Sequence, residues 1–348
     1  MDYFETLKTL CLAPGPSGFE AQAVRQAAKL LEPLVDEVHI DRLGSVIGRL
    51  RCGRPDAKKI LLDAHLDEVG MIVTGHKEGF LQVRELGGID PRILCDREVS
   101  ILTEPPITGI VSVKPPHIMS AEEFGKAVPM EKMYIDVGLS QEQAQARIPI
   151  GTPVVYREEV LRLQGDRIAG KSLDDRSCFA ILLWTLELLQ GEDLDVDVAV
   201  LGSCFEETGG DGALTATYAE HPDCAIAVDV TFGTTHDGDK DVGFDLGGGP
   251  AIGVGPNCAR WMVALLKQIC RDLDIPFNAE VMAGDTGTNG WGMQVVREGI
   301  PVALVSLPLR YMHTPLEVIS EKDAKQCAQV LAEFIRRAGK EEALCWKN

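Results

Sequence analysis

Apolar and polar positions fall into two textures along this chain. In residues 1–71, and again from 166 to 348, helical and strand patterns alternate. Residues 2–12 carry a short helical pattern, and the PGPSG turn follows. A second helix is expected from Ser17, with Glu20 completing an S-x-x-E capping box. Residues 35–50 alternate as strands around a turn, and KKILLDAH (58–65) is a buried-strand run that ends on polar residues. Further on, CFAILLWTLELLQ (178–190) reads as helix, VDVAVLGSCF (196–205) as buried strand, ALTATYAE (213–220) as helix and CAIAVDV (224–230) as buried strand. The helix NCARWMVALLKQICRDL (257–273), the strand IPVALVSL (300–307) and the helix KDAKQCAQVLAEFIRRAG (322–339) complete the series. This alternation predicts an α/β sandwich.

The second texture lies between. MIVTG, FLQVREL, EVSILT, ITGIVSV and TPVVYR recur between Gly and Pro breaks, with one longer connection, MSAEEFGKAVPMEK. Short runs at this spacing predict a small antiparallel β module. The chain is therefore expected to hold one α/β domain, 1–71 plus 166–348, interrupted by a β-rich insert at 72–165. A module this small should leave sheet edges and apolar side chains to cover, above all in SILTEPPITGIVSV, and a symmetry-related copy would cover them.

Composition narrows the class. Of 348 residues, 45% are hydrophobic and 25% charged, so disorder, collagen and coiled coil are set aside. No apolar run approaches the ~18 residues of a membrane helix, and the N-terminus has neither the basic nor the apolar region of a signal peptide. The ten cysteines occur singly, without a CxxC pair, which predicts reduced, buried thiols and a cytoplasmic protein. With 34 basic against 53 acidic residues the net charge is −19, which repels phosphate backbones. Nucleic acid is excluded as a partner, and substrates with a positive group, such as a peptide's free α-amine, are favoured.

The candidate chemistry sits where apolar strands end. ILLDAHLDE ends at His65, Asp67 and Glu68, AVLGSCFEE at Glu206 and Glu207, CAIAVD at Asp229 and VSLPLRYMH at His313. Asp174 and Asp175 lie where a loop enters a helix. Ligands in open α/β folds gather at the carboxyl ends of strands, so these clusters can converge. Imidazole and carboxylate without thiolate suit zinc, with cobalt or manganese as alternatives. Two divalent ions need a bridging carboxylate and a few terminal ligands. Three carboxylates and two neutral histidines supply −3 against +4, leaving charge for a hydroxide, and a further carboxylate can act as general base. His39, His76, His117, His221 and His236 read as solvated side chains.

One motif points elsewhere. GDRIAGKS (165–172) matches G-x-x-x-x-G-K-[ST], which would place Lys171 on nucleotide phosphates. Against it, the preceding strand is polar, Asp166 and Arg167 occupy the loop, and the following residues are acidic.

PSGFE, DAHLDEVG, KPPH with YIDVG, GKSLDDR, CFEE, AVDVTF and RYMHTPLE occur in an order that resembles the tetrahedral or glutamyl aminopeptidases, dinuclear metallopeptidases also labelled cellulase M or endoglucanase. The resemblance spans nearly the whole chain. It implies a phosphorylase/hydrolase-like α/β sandwich with a β-rich dimerisation insert, and dimers assembled into a tetrahedral dodecamer. Carried over by position, His65 and Asp229 bind one metal, Glu207 and His313 the other, and Asp174 bridges them. Asp67 orients His65, and Glu206 is the general base that activates a metal-bound water against the N-terminal peptide bond of short peptides. Where the family commonly reads Gly-Thr-Asp, this chain has Gly287-Thr288-Asn289, a departure that bears on the substrate pocket rather than the metals. The glycan-hydrolase alternative conflicts with the chemistry, since a glycosidase relies on two carboxylates flanking its bond.

Overall fold

Lys58–His65 turns from exposed to fully buried within three residues, because its last six positions run between parallel neighbours. The computed structural model describes residues 1–123, 125–238 and 242–338. The larger sheet opens with β1 (Glu37–Ile40), β2 (Val46–Leu50) and β3 (Lys58–His65). Six strands then form a separate barrel: β4 (Gly70–Lys77), β5 (Phe80–Leu86), β6 (Glu98–Ile101), β7 (Ile107–Ser112), β8 (Tyr134–Asp136) and β9 (Pro153–Tyr156). The sheet resumes with β10 (Leu161–Arg162), β11 (Arg167–Gly170), β12 (Val196–Ser203) and β13 (Cys224–Phe232). It ends with β14 (Ala251–Val254), β15 (Asn278–Val281), β16 (Val302–Arg310) and β17 (Glu317–Ser320).

The spatial order is β1-β2-β12-β3-β13-β16-β17-β11-β10, with β14 against β16 and β15 beyond it. The central four, β12, β3, β13 and β16, are mutually parallel. Side chains alternate across them with period two. Ile60, Leu62, Val198 and Val200 join the large core under the helices Leu173–Leu188 and Glu321–Ala338. Leu61, Ala199 and Leu201 face the other way, toward the helices Asp211–Glu220 and Gly290–Met293. Both faces are covered, which is why these strands read as unbroken apolar runs.

Two expectations are corrected. Ser17 and Glu20 form no capping box, since the helix Ala21–Leu31 has no side-chain cap. Glu20 instead accepts hydrogen bonds from the Gly18 N–H at 2.6 Å and the Phe205 N–H at 3.2 Å. The insert also does not leave open edges. Its strands close in the order β4-β5-β8-β7-β6-β9, and Met71, Leu81, Val99, Ile101, Val111 and Ile135 fill the interior. Closure satisfies the edge groups internally, so the strands of the SILTEPPITGIVSV run are paired within their own module, with Ile110 left facing outward. Some apolar surface remains around the barrel, with Ile110, Ile118 and Ile150 49%, 65% and 67% exposed.

The nine described cysteines are free thiols; Cys52 and Cys95 are half-buried, the others buried, and Cys345 lies outside the described residues. No helix among the described residues is long and apolar enough to cross a membrane.

Candidate functional site

The four parallel strands deliver their polar ends to one cleft of about 340 Å³. His65 is the last residue of β3, and Asp229 lies within β13. Glu206 and Glu207 form a short turn three residues beyond β12, and His313 follows β16 by the same interval. Asp174 enters from the first turn of Leu173–Leu188, where it and Asp175 have non-helical backbone angles. Ser172, Phe205 and His313 adopt left-handed φ values of 56°, 65° and 60°. A non-glycine residue there costs of order 1 kcal/mol and persists only where its surroundings dictate it.

The sequence-predicted residues meet at short range. Asp174 offers one carboxylate oxygen to each histidine, Oδ1 at 3.1 Å from His65 Nε2 and Oδ2 at 3.3 Å from His313 Nε2. Glu207 lies 3.3 Å from the same His313 nitrogen, and Glu206 lies 3.9 Å from His65 Nε2. His65, Asp174 and Glu207 each place a donor atom within 4.8 Å of the others, and so do His65, Asp175 and Asp229. Asp67 lies behind, with Oδ1 3.3 Å from His65 Nδ1. Its two oxygens also accept the Glu206 and Glu207 N–H groups, each at 3.1 Å. One buried carboxylate thus fixes both the imidazole and the turn beside it.

Charges here are mutually dependent. Burial pushes the Glu206 carboxyl up to about 7, with repulsion from Glu207 and Asp174 adding to it. Burial likewise raises Asp229, Asp175 and Glu207. For His313, burial opposes protonation, yet hydrogen bonds to Asp174 and Glu207 hold it up at about 11. His65 is raised for the same reason, through Asp174 and Asp67. Asp174, against its burial, is held low by the two histidines. Among the described residues, neither Lys nor Arg lines the cleft. The carboxylates therefore demand cations, and here only protonated imidazoles supply them. Asp175 Oδ1 is buried without a hydrogen-bond partner, another acceptor awaiting positive charge. An O/N donor set with this excess of carboxylate fits divalent metal ions.

Several supporting residues escaped the sequence reading. Buried Glu317 accepts the Asp174 N–H at 3.0 Å and the His313 N–H at 2.8 Å, clamping the two together. Its only sequence signal was its place in RYMHTPLE. Ser17 and Thr208 share a 2.7 Å hydroxyl contact that ties the PGPSG turn to the Glu206–Glu207 turn. From the barrel side, the Gly88 carbonyl lies 2.8 Å from His313 Nδ1. A Cβ on Gly88 would sit 3.0 Å from that nitrogen, so a larger residue would press on the His313 ring. His39, His76, His117, His221 and His236 do not line the cleft. His76 is not a freely solvated group, as Nε2 meets the Ile148 carbonyl at 2.8 Å.

Two further residues lie away from where sequence alone suggested. Lys171 is buried, with Nζ 2.5 Å from Glu68 Oε2 and 3.1 Å from Ser172 Oγ. Glu68 also pairs with Arg176 at 3.3 Å and accepts the Gly15 N–H at 3.0 Å. This closed ionic network leaves Lys171 nothing to offer a phosphate, which removes the nucleotide reading of 165–172. Lys171→Ala removes one of the two cations on buried Glu68, leaving Arg176, and is expected to cost about 1.5–3 kcal/mol in urea unfolding. The wild type should bind no ATP in calorimetry. Asn289 turns away from the cleft, donating to Asp63 Oδ2 and Ser203 Oγ, each at 2.9 Å. The departure from Gly-Thr-Asp therefore acts beneath the sheet, beside an Asp63 that burial pushes up to about 6.

Known proteins resemble this chain in sequence and fold. The family described as M42 glutamyl aminopeptidase matches residues 44–330. The lysyl aminopeptidase of Pyrococcus furiosus is 33% identical over 326 residues, covering 92% of this chain and 93% of its own. Among solved structures, aminopeptidase APDkam598 from the archaeon Desulfurococcus kamchatkensis superimposes with a TM-score of 0.90 at 31% identity, covering 99% and 96% of the two chains. The Pyrococcus horikoshii TET1 peptidase, which can assemble into a tetrahedron or a large octahedral shell, gives 0.84 at 26% identity over 96% and 99%. With the family match spanning most of the chain and the fold shared end to end, this protein belongs to the M42 glutamyl aminopeptidase family.

Proposed function

We propose that this aminopeptidase works with two divalent metal ions, one held by His65, Asp229 and Asp174 and the other by Asp174, Glu207 and His313. The observation that carries the reading is Asp174, whose two oxygens face histidines from two different strands at 3.1 and 3.3 Å. A carboxylate so placed can bridge. Zinc fits the donors best, with cobalt or manganese as alternatives.

When bound, such ions polarise the scissile carbonyl and lower the pKa of a coordinated water toward ~7. The protein's own residues do the rest. Glu206 is more exposed than Asp174 or Glu207, so its carboxylate faces the cleft and can take a proton and return it to the leaving amine. Asp67 holds His65 in one orientation and sets the Glu206 backbone. Glu317 keeps Asp174 and His313 in register. The substrate is a short peptide, attacked at its N-terminal bond, and the working compartment is the cytoplasm. The glycan-hydrolase alternative has no support in a cleft where five carboxylates accompany two histidines. Stripping the protein with a chelator should abolish release of free amino acids from tripeptides, and zinc should restore it.

We also propose the division into catalytic segments 1–71 and 166–348 with a dimerisation insert at 72–165, and assembly of dimers into a tetrahedral dodecamer. The apolar side chains left exposed at Ile110, Ile118 and Ile150 support an interface on the insert. Light scattering should give a mass near twelve times the 37.8 kDa chain. A monomer at micromolar concentration with full activity would contradict the assembly and leave the metal site untouched.

A further inference from the structure

One carboxylate of the cleft has no part in the chemistry above. Glu280, on β15, lines the same cavity as His65, Glu206 and Asp229 but belongs to neither group of potential metal ligands. Its partners are two hydroxyls. The Thr231 Oγ1–H donates to Oε1 at 2.5 Å, and the Ser306 Oγ–H donates to Oε2 at 2.6 Å. The two hydroxyls fix the position of both carboxylate oxygens. Each oxygen keeps a further acceptor direction after taking one hydroxyl.

The location is specific. Ser306 is the register partner of Asp229 across β13 and β16, and Thr231 lies two residues beyond Asp229 on the same face. Glu280 is thus fixed near the proposed metal ligand Asp229, from the edge strand β15. Among the described residues, no Lys or Arg lines the cavity and none forms a salt bridge with Glu280. With Asp174, Glu207 and Asp229 assigned to cations and Glu206 to proton transfer, Glu280 is the carboxylate of the described lining left for the ligand. A carboxylate fixed by two hydroxyls, in a cleft whose described lining holds neither Lys nor Arg, is placed to receive a positive group carried by the ligand.

We propose that Glu280 is the anchor for the positive charge carried by the N-terminal residue of the peptide. The proposal rests on the aminopeptidase reading of this cleft. The charge has two sources, the α-ammonium of any free N-terminus and the side-chain cation of an N-terminal Lys or Arg. Both are ammonium-type groups donating to a fixed carboxylate.

The test compares the metal-loaded wild type with Glu280→Gln on tripeptides beginning with Lys, Leu and Glu, following release of the first residue. Loss of a charged hydrogen bond should raise KM roughly 10- to 100-fold, with kcat changing far less. A rise for all three peptides assigns Glu280 to the α-ammonium, and a rise confined to the Lys peptide assigns it to the side chain. KM values within twofold of wild type on every peptide would overturn the proposal. Should Glu280→Gln lose metal or fail to fold, Glu280→Asp retains the charge but draws it back, and the same KM readings decide. A wild type that releases no amino acid with metal present would defeat the aminopeptidase reading itself, an outcome distinct from unchanged KM in an active enzyme.

Discussion

Replacing Glu206 by glutamine is expected to lower kcat by about 10²–10⁴-fold, the usual worth of a general base, while metal content stays at that of the wild type. The substitution keeps the shape of the side chain and removes only its capacity to take a proton. The Glu206 backbone N–H remains bonded to Asp67 Oδ1, so the turn holds its place. Its carboxylate lies 3.9 Å from His65 Nε2, farther than Asp174 at 3.1 Å, which suits a group next to the ligands rather than among them. Steady-state kinetics and elemental analysis of the same preparation check the prediction together. Wild-type turnover would remove Glu206 from its role, and loss of metal would make it a ligand instead.

Asp174→Asn should be more damaging to the centre itself. An amide has one acceptor oxygen, so it can serve His65's side or His313's side but not both with charge. The clamp from Glu317 to the Asp174 N–H is a backbone contact and survives, which limits the effect to the carboxylate. Metal affinity should fall by more than the ~10–100-fold that loss of an outer partner costs, with activity falling alongside it. Dialysis followed by elemental analysis reads this directly. Retention of two ions and normal turnover would mean that Asp174 does not bridge.

The legible part of this molecule was the part written in local pattern. β3, β12, β13 and β16 appear as apolar runs because they are buried on both faces, and each leads into a polar cluster because parallel strands finish on one side of the sheet. His65, Glu206, Glu207, Asp229 and His313 could be picked out for that reason, Asp174 from its acidic pair at a helix start, and the fold brings them together. What escaped depends on partners distant in sequence. Glu68, Lys171 and Arg176 form one buried network across more than a hundred residues, and a fragment of it imitated a phosphate loop. Glu20 looked like a capping residue because its spacing from Ser17 was right, but the Phe205 N–H, 185 residues away, competed for it. Glu317 gave no periodic signal, since its task is to accept two backbone N–H groups. Barrel closure was likewise hidden, because β4 pairs with β9 across some seventy intervening residues.

The most direct test of the central claim is a metal titration of stripped protein, with release of the N-terminal residue from a tripeptide as the readout. The account predicts no activity without metal, and a rise with added zinc that reaches its plateau at two equivalents per chain. Undiminished peptide hydrolysis by the stripped protein, or a plateau at one equivalent with Asp174→Asn still active, would contradict it.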